Sequence, residues 1–368
     1  MNIKPLFFAF VFSCFVCPNL PAEQLPLDVR DGSRLPFDVR SGSCDNSIFY
    51  MVDRNNGWAR GTNAILKTTD GGATWGKVLP ADPREPIGAF FYDRKTAWAV
   101  VGVTDDATNA TVFHTTDAGH SWSSAEVRES IPIMSCFLSF PNKNSGWMML
   151  IPDHGMNSMP GELFRTDDAG KTWRHINSVQ LFDNFERLTD ADLERAQPYL
   201  SCGGPILFRD AKNGWLVGAF TTTTPGYLFA THDGGDHWQG QTLPLPPSLR
   251  HGRMAPVGLP SFSRANGSAG TIEAEFVPDS AGLMDSSSVT YNTHNGGRTW
   301  HRGAASPAAE KARGESNQWL GRVIRITQIQ FVDEKHGWAV ALGNDLSGKL
   351  FRTEDGGKVW IAIQPTVQ

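Results

Sequence analysis

Six times along this chain of 368 residues the pattern Thr-x-Asp-x-Gly-x-x-Trp returns, which marks an internal repeat before any other feature is considered. The copies are Thr68-Thr-Asp70-Gly-Gly72-Ala-Thr-Trp75, Thr115-Thr-Asp117-Ala-Gly119-His-Ser-Trp122, Thr166-Asp-Asp168-Ala-Gly170-Lys-Thr-Trp173, Thr231-His-Asp233-Gly-Gly235-Asp-His-Trp238, Thr293-His-Asn295-Gly-Gly297-Arg-Thr-Trp300 and Thr353-Glu-Asp355-Gly-Gly357-Lys-Val-Trp360. These residues suit a tight hairpin. The Thr and Asp oxygens accept backbone N–H groups, and glycine takes the positive φ that other residues resist. Asp70, Asp117, Asp168, Asp233, Asn295 and Asp355 are therefore read as structural turn-formers.

A second signature precedes each box: an apolar residue, Asp or Asn two positions later, then Trp seven positions on, preceded by Gly except in the second copy, which has Ala97. It is seen as Met51/Asp53/Trp58, Phe91/Asp93/Trp98, Phe140/Asn142/Trp147, Phe208/Asp210/Trp215 and Phe331/Asp333/Trp338. In the fifth copy Phe276 followed by Gly282-Leu283 is the nearest match. Each copy reads as four short antiparallel strands A to D, with the signature in the A–B turn and the box in the C–D turn. Successive box Asp or Asn residues are 47, 51, 65, 62 and 60 residues apart, about one propeller blade. The expected fold is all-β, a six-bladed propeller of four-stranded blades over 44–368, with seven blades as the alternative. Residues 23–43 hold a ten-residue tandem, beginning at Leu25 and Leu35, that either adds a strand or leads into the first blade.

Residues 1–22 read as a secretory signal: Lys4, an apolar run, and Ala22 before the expected cut. The protein is thus expected in the periplasm or outside the cell. A lipidated form would use Cys14 or Cys17, but Phe12 is bulky where a small residue is usual. Cys44, Cys136 and Cys202 remain after cleavage; buried thiols are favoured over a disulfide framework. The formal charge of -5 is spread along the chain, which argues against nucleic acid as a partner, and no stretch is long and apolar enough for a membrane span. A monomer is expected.

A four-stranded meander puts the A–B turns and the boxes on one face and the B–C and D–A connections on the other. The long connections, 177–204, 241–270 and 303–321 with shorter ones near 102–111, 151–161 and 219–226, all fall on that second face, where binding is expected. Short helices are expected at 306–314 and, less clearly, at 189–196. Aligning the copies on the strand-A residue places Glu273/Glu275 and Gln328/Gln330 at equivalent positions in blades five and six, as a polar seam. With Arg253, Arg264, Arg322 and Arg325 they form the candidate binding set. No catalytic residue, metal or cofactor is assigned. Gly170-Lys171-Thr172 lacks the first glycine of a phosphate loop, having Arg165 there, and belongs to a box. His232, Asp233, Asp236 and His237 are dense potential ligands inside a turn whose other copies need no metal.

The Gly-Trp and Asp-box architecture of residues 44–368, with Gly57-Trp58, Gly146-Trp147, Gly214-Trp215 and Gly337-Trp338, resembles the photosystem II stability and assembly factor family of bacterial-neuraminidase-repeat propellers. That resemblance implies a non-enzymatic scaffold that binds a partner protein during assembly of a membrane complex. Members in photosynthetic organisms are usually seven-bladed, unlike the six copies here. The alternative is a sialidase-like glycoside hydrolase or a carbohydrate-binding propeller. Sialidase chemistry needs an arginine cluster and a Tyr–Glu nucleophile pair. Arg34-Leu-Pro echoes the sialidase Arg-Ile-Pro element loosely, and Tyr291 is the nearest nucleophile candidate.

Overall fold

Each box folds into a turn that satisfies its own polar atoms. In all six copies the box Thr hydroxyl donates to Oδ1 of the Asp or Asn at 2.8–2.9 Å and accepts the N–H of the box glycine at 2.9–3.0 Å. The same Oδ1 accepts the N–H four residues on. All six threonines are buried, at 1% exposure. The residue after the Asp and the glycine after it are both left-handed, with φ of 64° and 87° at Ala169 and Gly170.

The computed structural model describes residues 35, 49–61, 63–79, 86–102, 109–128, 133–152, 161–179, 205–218, 227–241, 243–244, 252–257, 259–263, 267–278, 287–303, 325–342 and 348–368. Among them all regular structure is strand, and no helix is long and apolar enough to cross a membrane. The leader 1–22, Cys44, Cys202 and both expected helices lie outside the described residues; Cys136 is a buried thiol.

The boxes join strands into six antiparallel blades, so the chain is a six-bladed β-propeller. Blade one is β1 (Phe49–Met51), β2 (Gly57–Arg60), β3 (Ile65–Thr68) and β4 (Thr74–Lys77). Blade two is β5 (Pro86–Phe91), β6 (Ala97–Val101), β7 (Asn109–Thr115) and β8 (Ser123–Arg128). Blade three is β9 (Ile133–Ser139), β10 (Gly146–Pro152), β11 (Gly161–Thr166) and β12 (Arg174–Val179). Blade four is β13 (Ile206–Phe208), β14 (Gly214–Gly218), β15 (Tyr227–Thr231) and β16 (Gln239–Gln241). Blade five has β17 (Gly252–Val257) and β18 (Ser261–Phe262) together as strand A, then β19 (Gly270–Pro278), β20 (Ser287–Thr293) and β21 (His301–Arg302). Blade six is β22 (Arg325–Phe331), β23 (Gly337–Leu342), β24 (Gly348–Thr353) and β25 (Ile361–Ile363). A last strand, β26 (Thr366–Val367), adds in parallel outside β4. Packing divides the chain into two compact units, one holding blades six and one and the other blades two to five.

The A–B turn is also self-satisfied. In the five copies with the signature, Oδ1 of Asp53, Asp93, Asn142, Asp210 or Asp333 accepts the N–H groups two and three residues on. Each box then ties to its own A–B turn, as where Ala169 N–H donates to the Asn144 carbonyl. The glycine of Gly-Trp is required by a close approach. A Cβ on Gly146, Gly214 or Gly337 would lie 2.2–2.7 Å from the ring of Phe140, Phe208 or Phe331 in the adjacent strand A.

In the fifth copy this close approach falls at Gly270 and not at the expected Gly282. A Cβ on Gly270 would meet the Phe262 ring at 2.7 Å, and Gly270 pairs with Thr293 as Gly146 pairs with Thr166. Strand A of blade five therefore ends at Phe262, not Phe276, and Thr271, not Leu283, stands at the tryptophan position. Phe262 and Gly270 are eight residues apart instead of six, and Arg264 replaces the turn-forming Asp, which is why the pattern does not show there.

Blades meet through their tryptophans. Trp98 of blade two donates its indole N–H to the Ala169 carbonyl in the box of blade three at 2.8 Å. Trp147 donates likewise to Gly234 of blade four, and Trp338 of blade six to Gly71 of blade one, at 2.8 and 2.9 Å. Phe140 stacks on Trp98 at 3.8 Å and Phe208 on Trp147 at 4.0 Å, each ring coming from the next blade's strand A. The apolar clusters accordingly lie between blades and not within them. Burying one such indole contributes on the order of 5 kcal/mol of hydrophobic stabilisation.

Left-handed backbone costs a residue with a Cβ about 1–2 kcal/mol, partly offset by the greater unfolded freedom of glycine. Ala169→Gly and Ala118→Gly should therefore each stabilise the protein by about 0.5–1 kcal/mol, read as a rise in urea midpoint. Gly170→Ala should lower that midpoint.

Candidate functional site

The candidate binding residues separate in the structure. Gln328 and Gln330 lie on β22, the innermost strand of blade six, and their amides are committed to the main chain of β1. Gln330 accepts the Met51 N–H at 2.7 Å and donates to the Met51 carbonyl at 2.7 Å, while Gln328 donates to the Phe49 carbonyl at 2.7 Å. Gln330 is buried. The seam they make thus joins blade six to blade one. Glu273 and Glu275 lie on β19, the second strand of blade five, where they pair with Thr290 and Ser288. They occupy strand B and Gln328/Gln330 strand A, so the expected equivalence fails with the fifth-copy register on which it rested. Arg253 is on β17, opposite Val277, and Arg325 opens β22 opposite Leu342. Arg264 and Arg322 lie outside the described residues.

The inner edge of strand A has no neighbouring strand, and side chains supply its partners. Ser139 does in blade three what Gln330 does in blade six, accepting the N–H of Phe208 from blade four at 2.7 Å. The signal is the residue just before the strand-A apolar position, which reaches the next blade.

The box carboxylates are engaged. Oδ2 of Asp70, Asp117 and Asp168 accepts the hydroxyl of Thr74, Ser121 and Thr172 at 2.6 Å, and Oδ2 of Asp233 pairs with His237 Nδ1 at 2.7 Å. His232 Nδ1 faces Asn213 Oδ1 at 2.8 Å. Among the described residues no group of three or more His, Cys, Asp or Glu is arranged to hold a metal. Slight burial would raise the Asp168 carboxyl, but hydrogen bonds from Thr172, Thr166 and Lys171 outweigh it and bring the pKa down to about 2. Asp117 is lowered by Ser121 and Thr115, and Asp70, Asp233 and Asp355 also lie below the ordinary value.

A row of cations that the sequence reading missed covers the blade tryptophans. Lys67 Nζ lies 4.0 Å from the Trp58 ring centre, Arg165 covers Trp147 at 4.9 Å, and Arg209 lies over Trp215 and Phe262. Lys67 and Arg165 immediately precede the box threonine, a position legible only once the strand-B tryptophan is known to lie opposite. Arg165 donates to the Ala211 carbonyl and Arg209 to that of Gly267, both in the next blade. Ion pairs link A–B turns as well: Arg54 with Asp333 and Lys143 with Asp93. This face is thus occupied by blade-to-blade bonding.

Tyr291 is buried in strand C of blade five, and its hydroxyl donates to the Pro244 carbonyl at 2.9 Å. Burial pushes its pKa up to about 12, against only a weak opposing pull from Arg302. A glycosidase nucleophile needs the opposite, an accessible phenol that ionises readily.

Sequence comparison gives a photosystem II stability/assembly factor, the chloroplastic HCF136 of Arabidopsis thaliana, 24% identical over 92% of this chain and 82% of that protein. The chain is distantly similar to photosystem II assembly factors over most of its length. A xyloglucanase of Paenibacillus sp is 23% identical over 53% of the chain but only 19% of the enzyme. The family model for sortilin (Sortilin-Vps10; neurotensin receptor 3) matches residues 63–195. Among solved structures, YCF48 bound to D1 peptide superposes with a TM-score of 0.43 at 17% identity, covering 93% of this chain and 87% of that one.

Gln330→Leu would leave two main-chain groups of Met51 buried without partners, at a cost of about 1–3 kcal/mol each, and should lower the thermal midpoint far more than Gln328→Ala. The box aspartates have folded pKa values below their unfolded ones, so their stabilisation is complete above about pH 4 and is lost as pH falls towards 2. Asn295 makes the box bonds without charge, donating from Nδ2 to Thr299. Asp168→Asn should therefore fold normally at pH 7, and its midpoint should fall less than the wild type's between pH 5 and pH 2.

Proposed function

We propose that the protein is a non-catalytic, exported scaffold that binds a partner protein and supports the assembly or stability of a membrane complex. One observation carries this reading: the similarity to a stability/assembly factor spans 92% of the chain and 82% of that relative. The match to the xyloglucanase takes in only 19% of the enzyme. The state of Tyr291 weighs against a sialidase-like reaction, since the hydroxyl is held by Pro244 and its ionisation is opposed by burial.

The partner is read to dock on the face opposite the boxes. The long D–A connections are expected on that face, and long connections on a rigid scaffold are where binding commonly resides. The loop between β16 and β17, around Arg250, is the preferred contact. Its usable part is short: 252–257 and 261–262 belong to strand A of blade five, so only 245–251 can be altered without removing a strand.

Cross-linking in the exported compartment followed by capture should give one dominant membrane-complex subunit. Replacing 245–251 with a Gly/Ser linker of equal length should abolish the cross-link while leaving the thermal midpoint within a degree or two. Retained cross-linking in that variant counts against the chosen face. Turnover of a sialoside or of xyloglucan above the blank would overturn the non-catalytic reading.

A further inference from the structure

We infer that the junction between blades four and five is a built-in weak seam, from which blade five opens before the other blades of its unit. The inference is independent of the partner proposed above.

Three blade junctions lie within the compact unit of blades two to five. At two of them the strand-B indole donates to the next box, Trp98 to Ala169 and Trp147 to Gly234. At the third, Trp215 is fully buried and its Nε1 has no hydrogen-bond partner, although Gly296 of blade five offers the equivalent carbonyl. That carbonyl lies 3.5 Å from the Arg209 guanidinium instead. An orphaned buried N–H costs about 1–3 kcal/mol relative to a bonded one.

Ring packing changes at the same place. Phe140 and Phe208 lie nearly flat on Trp98 and Trp147, with interplanar angles of 13° and 4°. Phe262 meets Trp215 at 41° and 4.5 Å. In sequence, Phe262 and Gly270 are eight residues apart where the other copies have six, and Arg264 stands where those copies have Asp or Asn. Arg209 spans the gap, lying 4.9 Å from the Phe262 ring and donating to the Gly267 carbonyl of that turn at 2.6 Å. Arg209, its side chain 27% exposed, thereby takes up the carbonyl that the indole would bind. On the outer strands Gln241 donates to the Gly297 carbonyl at 2.7 Å and accepts the Trp300 indole N–H at 3.0 Å, so the deficit lies at the inner strands. Blade five itself has Thr271 where the other blades place tryptophan.

Native-state hydrogen exchange tests this without any ligand. Amides of β19 and β20 should exchange about tenfold faster than those of β10 and β11, and the Trp215 indole N–H about tenfold faster than that of Trp147. Trp147→Phe should accelerate exchange in blade four, whereas Trp215→Phe should leave blade five within about twofold of wild type, since no indole bond is lost. Equal protection of the two indoles, or equal acceleration by the two substitutions, would overturn the inference. If either variant fails to fold, the wild-type exchange pattern alone decides.

Discussion

The indole of the Gly-Trp pair is the contact on which the propeller is built. At Trp147 the neighbouring Gly146 admits the ring of Phe140 from its own strand A, the flat face receives Phe208 of the next blade, and the N–H closes on the next blade's box, a bond that Trp98 and Trp338 also make and Trp215 does not. A four-stranded blade is a thin twisted sheet with little interior, so its apolar residues can only be buried against a neighbour. One large side chain that is apolar on its faces and a donor at its edge meets both needs. The box supplies the carbonyl because its two left-handed residues turn that oxygen outwards instead of into a strand ladder.

This coupling explains why the two signatures occur together, and why sequence reading recovers the fold. Box and Gly-Trp are parts of one inter-blade joint, so five clear copies and a sixth box fix the blade number. The error in copy five has the same origin. Register there depends on Phe262 and Gly270, which are two residues further apart than elsewhere, and with Thr271 for tryptophan no local pattern marks strand B. Glu273 and Glu275 then look like strand-A residues because β19 also alternates apolar and polar positions, from Ile272 through Ala274 to Phe276. The cations over the indoles were illegible for a different reason. Lys67 and Arg165 are ordinary surface residues in a strand until the opposing strand is known.

The same joint limits where function can lie. Box hydroxyls and carboxylates, A–B turn aspartates and the covering arginines all have partners within or between blades. A residue already engaged in two hydrogen bonds offers little to a ligand, and removing it costs stability before it costs binding. The connections on the opposite face differ widely in length, from a few residues between β8 and β9 to more than twenty between β12 and β13, and long connections on a rigid scaffold are where binding commonly resides.

The polar residues of blade six follow from connectivity. Most junctions have a covalent D–A linker that delivers each strand A to its neighbour, but β1 is the first strand among the described residues and no described D–A linker runs to it from blade six. Non-covalent bonds place it there. Gln328 and Gln330 hold the main chain of β1 at three points, Trp338 closes on Gly71, Arg54 pairs with Asp333, and the chain runs on from β25 to lay β26 against β4. Glutamine suits the task because one amide can accept from a backbone N–H and donate to the carbonyl of the same residue, which extends β1 as a neighbouring strand would. An apolar residue there would bury the edge and leave it unbonded. Ser139 makes one such bond at a junction that also has its linker, whereas blade six places two glutamines and three bonds at the junction without a described one, and a chain permuted to start at another blade would need its amides at that blade's predecessor.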